Sequence, residues 1–151
     1  MKCPACDHTL TETQVGALKV DVCHDGCGGI WFDAFELQRV DEAHEVGGEH
    51  LVSIKQDPSR NVDRSRKRAC PRCAGIKLKR HLFGPKSKVE VDHCPNCGGY
   101  WLDAGELETI RQEQKPASHA KPAGTAQIDS EIIRYLYRVQ IEIRPSRPSA
   151  G

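Results

Sequence analysis

Eight cysteines fall in four pairs, and thiolate is the ligand type that zinc and softer metals hold best. Cys70-Pro71-Arg72-Cys73 and Cys94-Pro95-Asn96-Cys97 are two Cys-x-x-Cys pairs separated by 20 residues. Such a turn aims two sulfurs at one point, so two pairs supply four tetrahedral corners. The spacing therefore predicts a structural zinc site made by Cys70, Cys73, Cys94 and Cys97. An earlier set begins with Cys3-Pro4-Ala5-Cys6, but its second pair, Cys23-His24-Asp25-Gly26-Cys27, holds one extra residue. Two ligand sets stay open there. One is Cys3, Cys6, Cys23 and Cys27, with Gly26 absorbing the extra residue; the other replaces Cys23 by His24, which falls under Cys94 when the glycines and tryptophans are aligned. Two zinc ions per chain are expected, and spacing does not separate zinc from a rubredoxin-type iron. Pro4, Pro71 and Pro95 fix the turns, and Gly28-Gly29 and Gly98-Gly99 are expected to let the backbone pass close behind the metal.

Other chemistries fit less well. Cys3-Pro4-Ala5-Cys6 has the form of a thiol redox motif, which belongs at a helix start inside a βαβ unit, and the pattern shows no such unit. A four-thiolate site leaves no coordination position for water, unlike a catalytic zinc. His8, His44, His50, His81, His93 and His119 lack metalloprotease spacing and read as surface residues, His93 being notable only for its place beside Cys94. Asp33/Glu36 and Asp103/Glu106 read as helix caps rather than paired catalytic acids. No enzyme is expected; an iron or thiol redox carrier is the minor alternative.

The elements that position these residues are themselves repeated. Trp31, Asp33, Glu36 and Leu37 match Trp101, Asp103, Glu106 and Leu107 at an offset of 70. Each copy predicts a knuckle, a hairpin, a second knuckle and a capped helix, a small metal-stabilised α+β fold of two tandem zinc ribbons. The first ribbon spans 1–47, with a hairpin around Val15–Val22 and a helix over Ala34–Glu45 stopped by Gly47-Gly48. A basic linker occupies 48–68, where Leu51, Val52 and Ile54 suit one short strand. The second ribbon spans 69–114, with strands near Ile76–Phe83 and Lys88–Asp92 and a helix over Ala104–Gln114. A flexible stretch, 115–127, leads to an apolar C-terminal helix at 128–144, with Ile128, Ile132, Leu136, Val139 and Ile143 on one face, and a tail at 145–151. Trp31 and Trp101 are expected to shield the metals and pack on the helices that follow; a partly exposed indole anchoring a partner is the alternative.

Units of about 45 residues bury too little apolar surface to fold unaided, which is why a staple is expected. With Met1-Lys2-Cys3 opening the first knuckle at once, no secretory leader is expected, and no apolar run reaches membrane-span length. A cytoplasmic protein without membrane contact is expected, with its cysteines on metal rather than in disulfides. The net charge of +1 conceals an uneven distribution: the first ribbon has three basic against nine acidic side chains, the linker six against three. An acidic first ribbon would repel phosphate.

Cys-Pro-x-Cys followed by Cys-x-x-Cys-Gly-Gly-x-Trp-Leu-Asp-x-Gly-Glu-Leu, seen in full at Cys94–Leu107, resembles the transcription-factor-IIB-like zinc fingers, here in two tandem copies. The first copy departs in its extra knuckle residue and in Phe35 where the pattern has glycine. The resemblance implies a zinc-binding fold and a link to transcription. The reading that follows is a non-enzymatic protein with two structural zinc sites, acting in protein interaction or transcription, with a protein partner or self-association through the C-terminal helix. The alternative is nucleic-acid binding through Arg60, Arg64, Arg66, Lys67 and Arg68 of the linker and Arg72, Lys77, Lys79, Arg80, Lys86 and Lys88 of the second ribbon, with Phe83 stacking on a base.

Overall fold

Val15, Leu18, Val20 and Val22 alternate with polar neighbours across a turn at Gly16 (φ +61°), the pattern of a hairpin buried on one face. In the computed structural model, which describes residues 1–115, this hairpin is β1 (Thr11–Val15) and β2 (Leu18–Val22), and β3 (Ile30–Phe32) adds to it. The second copy gives β4 (Lys79–Leu82), β5 (Glu90–His93) and β6 (Tyr100–Leu102) in the same arrangement. The two halves then join. β3 pairs antiparallel with β6, placing Ile30 opposite Leu102, Trp31 opposite Trp101 and Phe32 opposite Tyr100. The result is one six-stranded sheet, ordered β1-β2-β3-β6-β5-β4, with an approximate two-fold relation centred on the tryptophan pair.

Strand alternation sends the side chains to two faces, and both cores cross the junction. Val20, Val22, Ile30, Phe32, Val91 and Leu102 cover one face, packed with Leu37, Val40, Leu51, Leu107 and Ile110 from the helical segments. The opposite face carries Trp31 and Trp101 among Cys3, Cys23, Cys27, Cys70, Cys94, Leu10 and Leu78. Each indole fills a notch in the other half. A Cβ on Gly29 would lie 2.2 Å from Trp101 Cζ2, and one on Gly99 would lie 2.2 Å from Trp31 Cζ2. Gly29 and Gly99 thus make room for an indole rather than for a metal. Both tryptophans are fully buried, which removes the partner-anchor alternative.

The helices differ from expectation in the first half. The second half forms α2 over Glu106–Glu113, entered through Gly105 in the left-handed region (φ +85°). Phe35 takes the equivalent place at φ +69°, and only a single 3-10 turn, Leu37–Arg39, follows. The expected helix over Ala34–Glu45 is absent; instead α1 runs from Val46 to Val52 and includes both Gly47 and Gly48. Arg111 of α2 explains this. Its guanidinium donates to the carbonyls of Val40 (2.5 Å), Ala43 (3.2 Å) and Glu45 (3.0 Å), groups that a continuing helix would use internally. Gly48 lies against that guanidinium, where any side chain would collide. Leu51 and Val52 are therefore helical, not in a strand.

The segment read as a linker is built into the fold at several points. Ile54 and Val62 pack against the two cores, and Arg68 is 3% exposed, clamped between Asp92 (2.8 Å) and Asp103 (2.9 Å). Burying two carboxylates without that cation would be costly, so Arg68 holds β5 to the strand-to-helix corner of the second half. Its counterpart in the first half is supplied across the junction: Arg72, in the third knuckle, reaches Asp21 (3.4 Å) and Asp33. The apolar helix expected at 128–144 lies outside the described residues.

Candidate metal centres

Each metal centre is formed at the knuckle ends of one hairpin. Cys3 and Cys6 precede β1, and Cys23 and Cys27 bridge β2 and β3; Cys70 and Cys73 precede β4, and Cys94 and Cys97 bridge β5 and β6. Backbone hydrogen bonds close the turns, with Cys3 N–H donating to His8 O (2.7 Å), Cys70 N–H to Ile76 O (2.8 Å) and Cys94 N–H to Gly99 O (2.9 Å). Gly28 (φ +72°) and Gly98 (φ +75°) occupy the left-handed region that ends the two inner knuckles, a conformation that disfavours side-chain-bearing residues.

The sulfurs converge. Those of Cys3, Cys6, Cys23 and Cys27 all lie within 4.8 Å of one another, as do those of Cys70, Cys73, Cys94 and Cys97. Cys3 and Cys27 are 3.5 Å apart, Cys6 and Cys23 3.5 Å, and Cys70 and Cys97 3.8 Å. A disulfide would bring a pair to about 2.05 Å. Zn–S bonds of about 2.3 Å in a tetrahedron set sulfur–sulfur edges of about 3.8 Å, so these spacings fit a zinc ion at the centre of each group. N–H groups are also turned toward sulfur: those of Ala5 and Cys6 toward Cys3 Sγ (3.4 Å each), that of Cys73 toward Cys70 Sγ (3.3 Å), and the Asn96 amide toward Cys73 Sγ (3.2 Å). Donors aimed at sulfur favour the thiolate form a metal requires.

The extra residue of the first site is accommodated at Gly26, where a Cβ would lie 2.5 Å from Cys23 Sγ. Cys23 joins the sulfur cluster, whereas His24 Nε2 lies 3.1 Å from Thr13 Oγ1. His93, beside Cys94, packs at a tilt against Tyr100 instead, with ring centroids 4.8 Å apart.

The electrostatics call for a cation. Hydrogen bonding with Cys23 is the first cause that holds the Cys3 thiol far above its ordinary value and pushes Cys27 up to about 12; burial pushes Cys70 up to about 12. Four adjoining sulfurs cannot all ionise on their own, and a divalent ion reverses that by deprotonating its ligands outright. Zinc bound here would supply four thiolate bonds tying two knuckles together, with no corner left for water.

Next to each centre sits a repeated acid arrangement. Trp31 Nε1 donates to Asp33 Oδ1 and Trp101 Nε1 to Asp103 Oδ1, both at 3.0 Å. Glu36 and Glu106 accept from the N–H groups of Asp33 and Asp103 at 2.7 Å. Only half of the expected capping box is therefore made: the glutamates reach back, but the aspartates hold the indoles rather than a helix N–H. Burial first, and the Asp103 charge second, raise Glu106 to about 7.

Two closed four-cysteine centres on one face of a shared sheet define a zinc-ribbon protein of two modules. The transcription factor zinc-finger family matches residues 2–43 and 69–113, more than half the chain in two segments, and the chain belongs to that family. Nothing among curated proteins and nothing among solved structures matches the chain. The family pattern covers the knuckles and the corner residues but not Arg68, read from the sequence as a phosphate-binding residue of the basic linker and found instead buried between Asp92 and Asp103. No spacing signal marks it; the one hint is its place two residues before Cys70.

Proposed function

We propose that this is a non-enzymatic protein whose two zinc ions staple a rigid double ribbon that serves as an interaction module in transcription, in the reducing cytoplasm. The observation that carries the reading is the closed ligand set: cysteine sulfur takes all four corners of each centre, which suits structural zinc rather than catalysis. The link to transcription rests on the family. Affinity purification of the full chain in zinc-replete buffer, followed by mass spectrometry, tests it. Enrichment of RNA polymerase or its associated factors that chelation abolishes supports the reading, and recovery of none of them refutes the transcription part.

A second reading, nucleic-acid binding, is favoured by how the basic residues divide. Arg60, Arg64, Arg66, Arg68, Arg72 and Arg80 all pair with carboxylates of the chain itself. Lys77, Lys79, Lys86 and Lys88 are exposed, and none of them enters an ion pair among the described residues. Lys67, likewise exposed and in no ion pair among the described residues, joins the lysines in and beside the β4–β5 hairpin as the phosphate ligands of that reading. A titration with nucleic acid across salt concentrations tests it, because phosphate binding must weaken as salt rises.

A further inference from the structure

The strand registers of the two halves correspond position by position, and one patch differs in kind. Val22 pairs with Ile30 in the first half, and His93 pairs with Tyr100 in the second. Thr13 pairs with Val20 in the first, and His81 with Val91 in the second. The positions Thr13, Val22 and Ile30 therefore correspond to His81, His93 and Tyr100. Val22 and Ile30 are buried in the core that Leu51 completes, with Ile54 packed beside it. The corresponding patch of the second half is a cluster of three rings: His93 and Tyr100 centroids lie 4.8 Å apart, His81 and His93 5.7 Å, and His81 and Tyr100 6.2 Å. His81 is exposed, and His93 and Tyr100 are half-buried.

The charge around the patch differs too. The β1–β2 hairpin carries Lys19 against Glu12 and Asp21, whereas residues 76–93 carry Lys77, Lys79, Arg80, Lys86 and Lys88 against Glu90 and Asp92. Strand alternation sorts these cations. Lys79 pairs in register with His93 and shares the face of His81, with Lys77 next in the alternation, while Arg80 falls on the other face, bound to Asp92. The patch is thus a sheet surface with three clustered rings in its middle, His81 standing edge-on to the other two, and at its edge ammonium groups that enter no ion pair among the described residues. Bases stack on such rings, and phosphates are held by such cations.

We propose that the sheet face bearing His81, His93 and Tyr100 binds single-stranded nucleic acid, with bases stacked on the rings and Lys77 and Lys79 holding the backbone. This deepens the nucleic-acid reading above and rests on it. The unpaired strand is required because duplex bases are stacked on one another and cannot present their faces to these rings.

Fluorescence anisotropy of the full, zinc-loaded chain with labelled oligothymidylate and oligouridylate of about 15 nucleotides tests it, together with a duplex of equal length. Affinity for the single strands is expected to fall with salt and to exceed that for the duplex. His81→Ala, on an exposed edge strand, is expected to weaken binding at least about fivefold, and His81→Phe to restore it. Lys79→Ala is expected to flatten the salt dependence by about 0.7 in log–log slope. Unchanged affinity in His81→Ala, no rescue by phenylalanine, or equal affinity for the duplex overturns the inference. If binding then depends on Lys86 and Lys88, the wider nucleic-acid reading survives without it; no binding at low salt removes both.

Discussion

Gly99→Ala tests the junction between the two halves. The added methyl would sit 2.2 Å from Cζ2 and 2.8 Å from Cη2 of Trp31, and 2.9 Å from Phe32 O. Trp31 is fully buried, its indole N–H is held by Asp33, and the facing backbone belongs to the central strand pair. Neither neighbour can yield locally, so the methyl must push β3 from β6. Overpacking of this kind costs about 1–3 kcal/mol, and the upper end applies where the clash meets backbone as well as ring. At about 4 °C per kcal/mol for a fold between roughly 100 and 150 residues, the zinc-saturated protein is expected to melt roughly 10 °C lower. Gly29→Ala meets Trp101 in the same geometry and is expected to cost a similar amount, while Gly84→Ala, with open space around it, is the neutral control. The double variant should lose less than the sum of the single losses, since either methyl alone opens the shared junction. Thermal melts followed by tryptophan emission read both stability and indole exposure. A Gly99→Ala protein with unaltered melting temperature and emission maximum would refute the reciprocal lock.

Further outcomes follow from other residues. Glu106 is raised to about 7 in the fold against an ordinary value of 4.5, so the native state binds the extra proton between those values. Its contribution is therefore fully present below pH 4.5 and lost as pH rises through 7, a swing of roughly 3 kcal/mol. Glu106→Gln keeps an acceptor for the Asp103 N–H and is expected to gain stability over the parent as pH goes from 6 to 8.5, checked by urea melts at each pH. Arg111→Ala strands three carbonyls of the first half and is expected to cost about 2–4 kcal/mol in the same assay, as well as loosening α1 in hydrogen exchange. Phe35→Gly relieves a left-handed aromatic residue, 82% exposed, and is expected to stabilise by about 1 kcal/mol.

The metal centres were legible in the sequence because their geometry is nearly local: a Cys-x-x-Cys turn fixes two sulfurs whatever surrounds it. The hairpins were legible for a similar reason, in the alternation of Val20 and Val22 and of Val89 and Val91. What was hidden depends on contacts between the copies. A repeat does not say whether its units touch, so Gly29 and Gly99 read as metal-site glycines although their neighbour is the other half's indole. The first helix was misplaced because Arg111, some 70 residues away, takes the carbonyls it would need, and because Phe35 stands where the second copy has Gly105. Arg68 was hidden inside a basic run whose charge suggested solvent, whereas Asp92 and Asp103 draw it inward.

The most direct measurement is metal analysis of freshly purified protein combined with titration of its thiols. Two closed centres predict two zinc ions per chain and eight reduced cysteines released on denaturation with a chelator. Chelation alone should collapse both halves together, because each core crosses the junction. Iron in place of zinc, disulfides in the purified chain, or a fold that keeps its circular dichroism without metal would contradict the account.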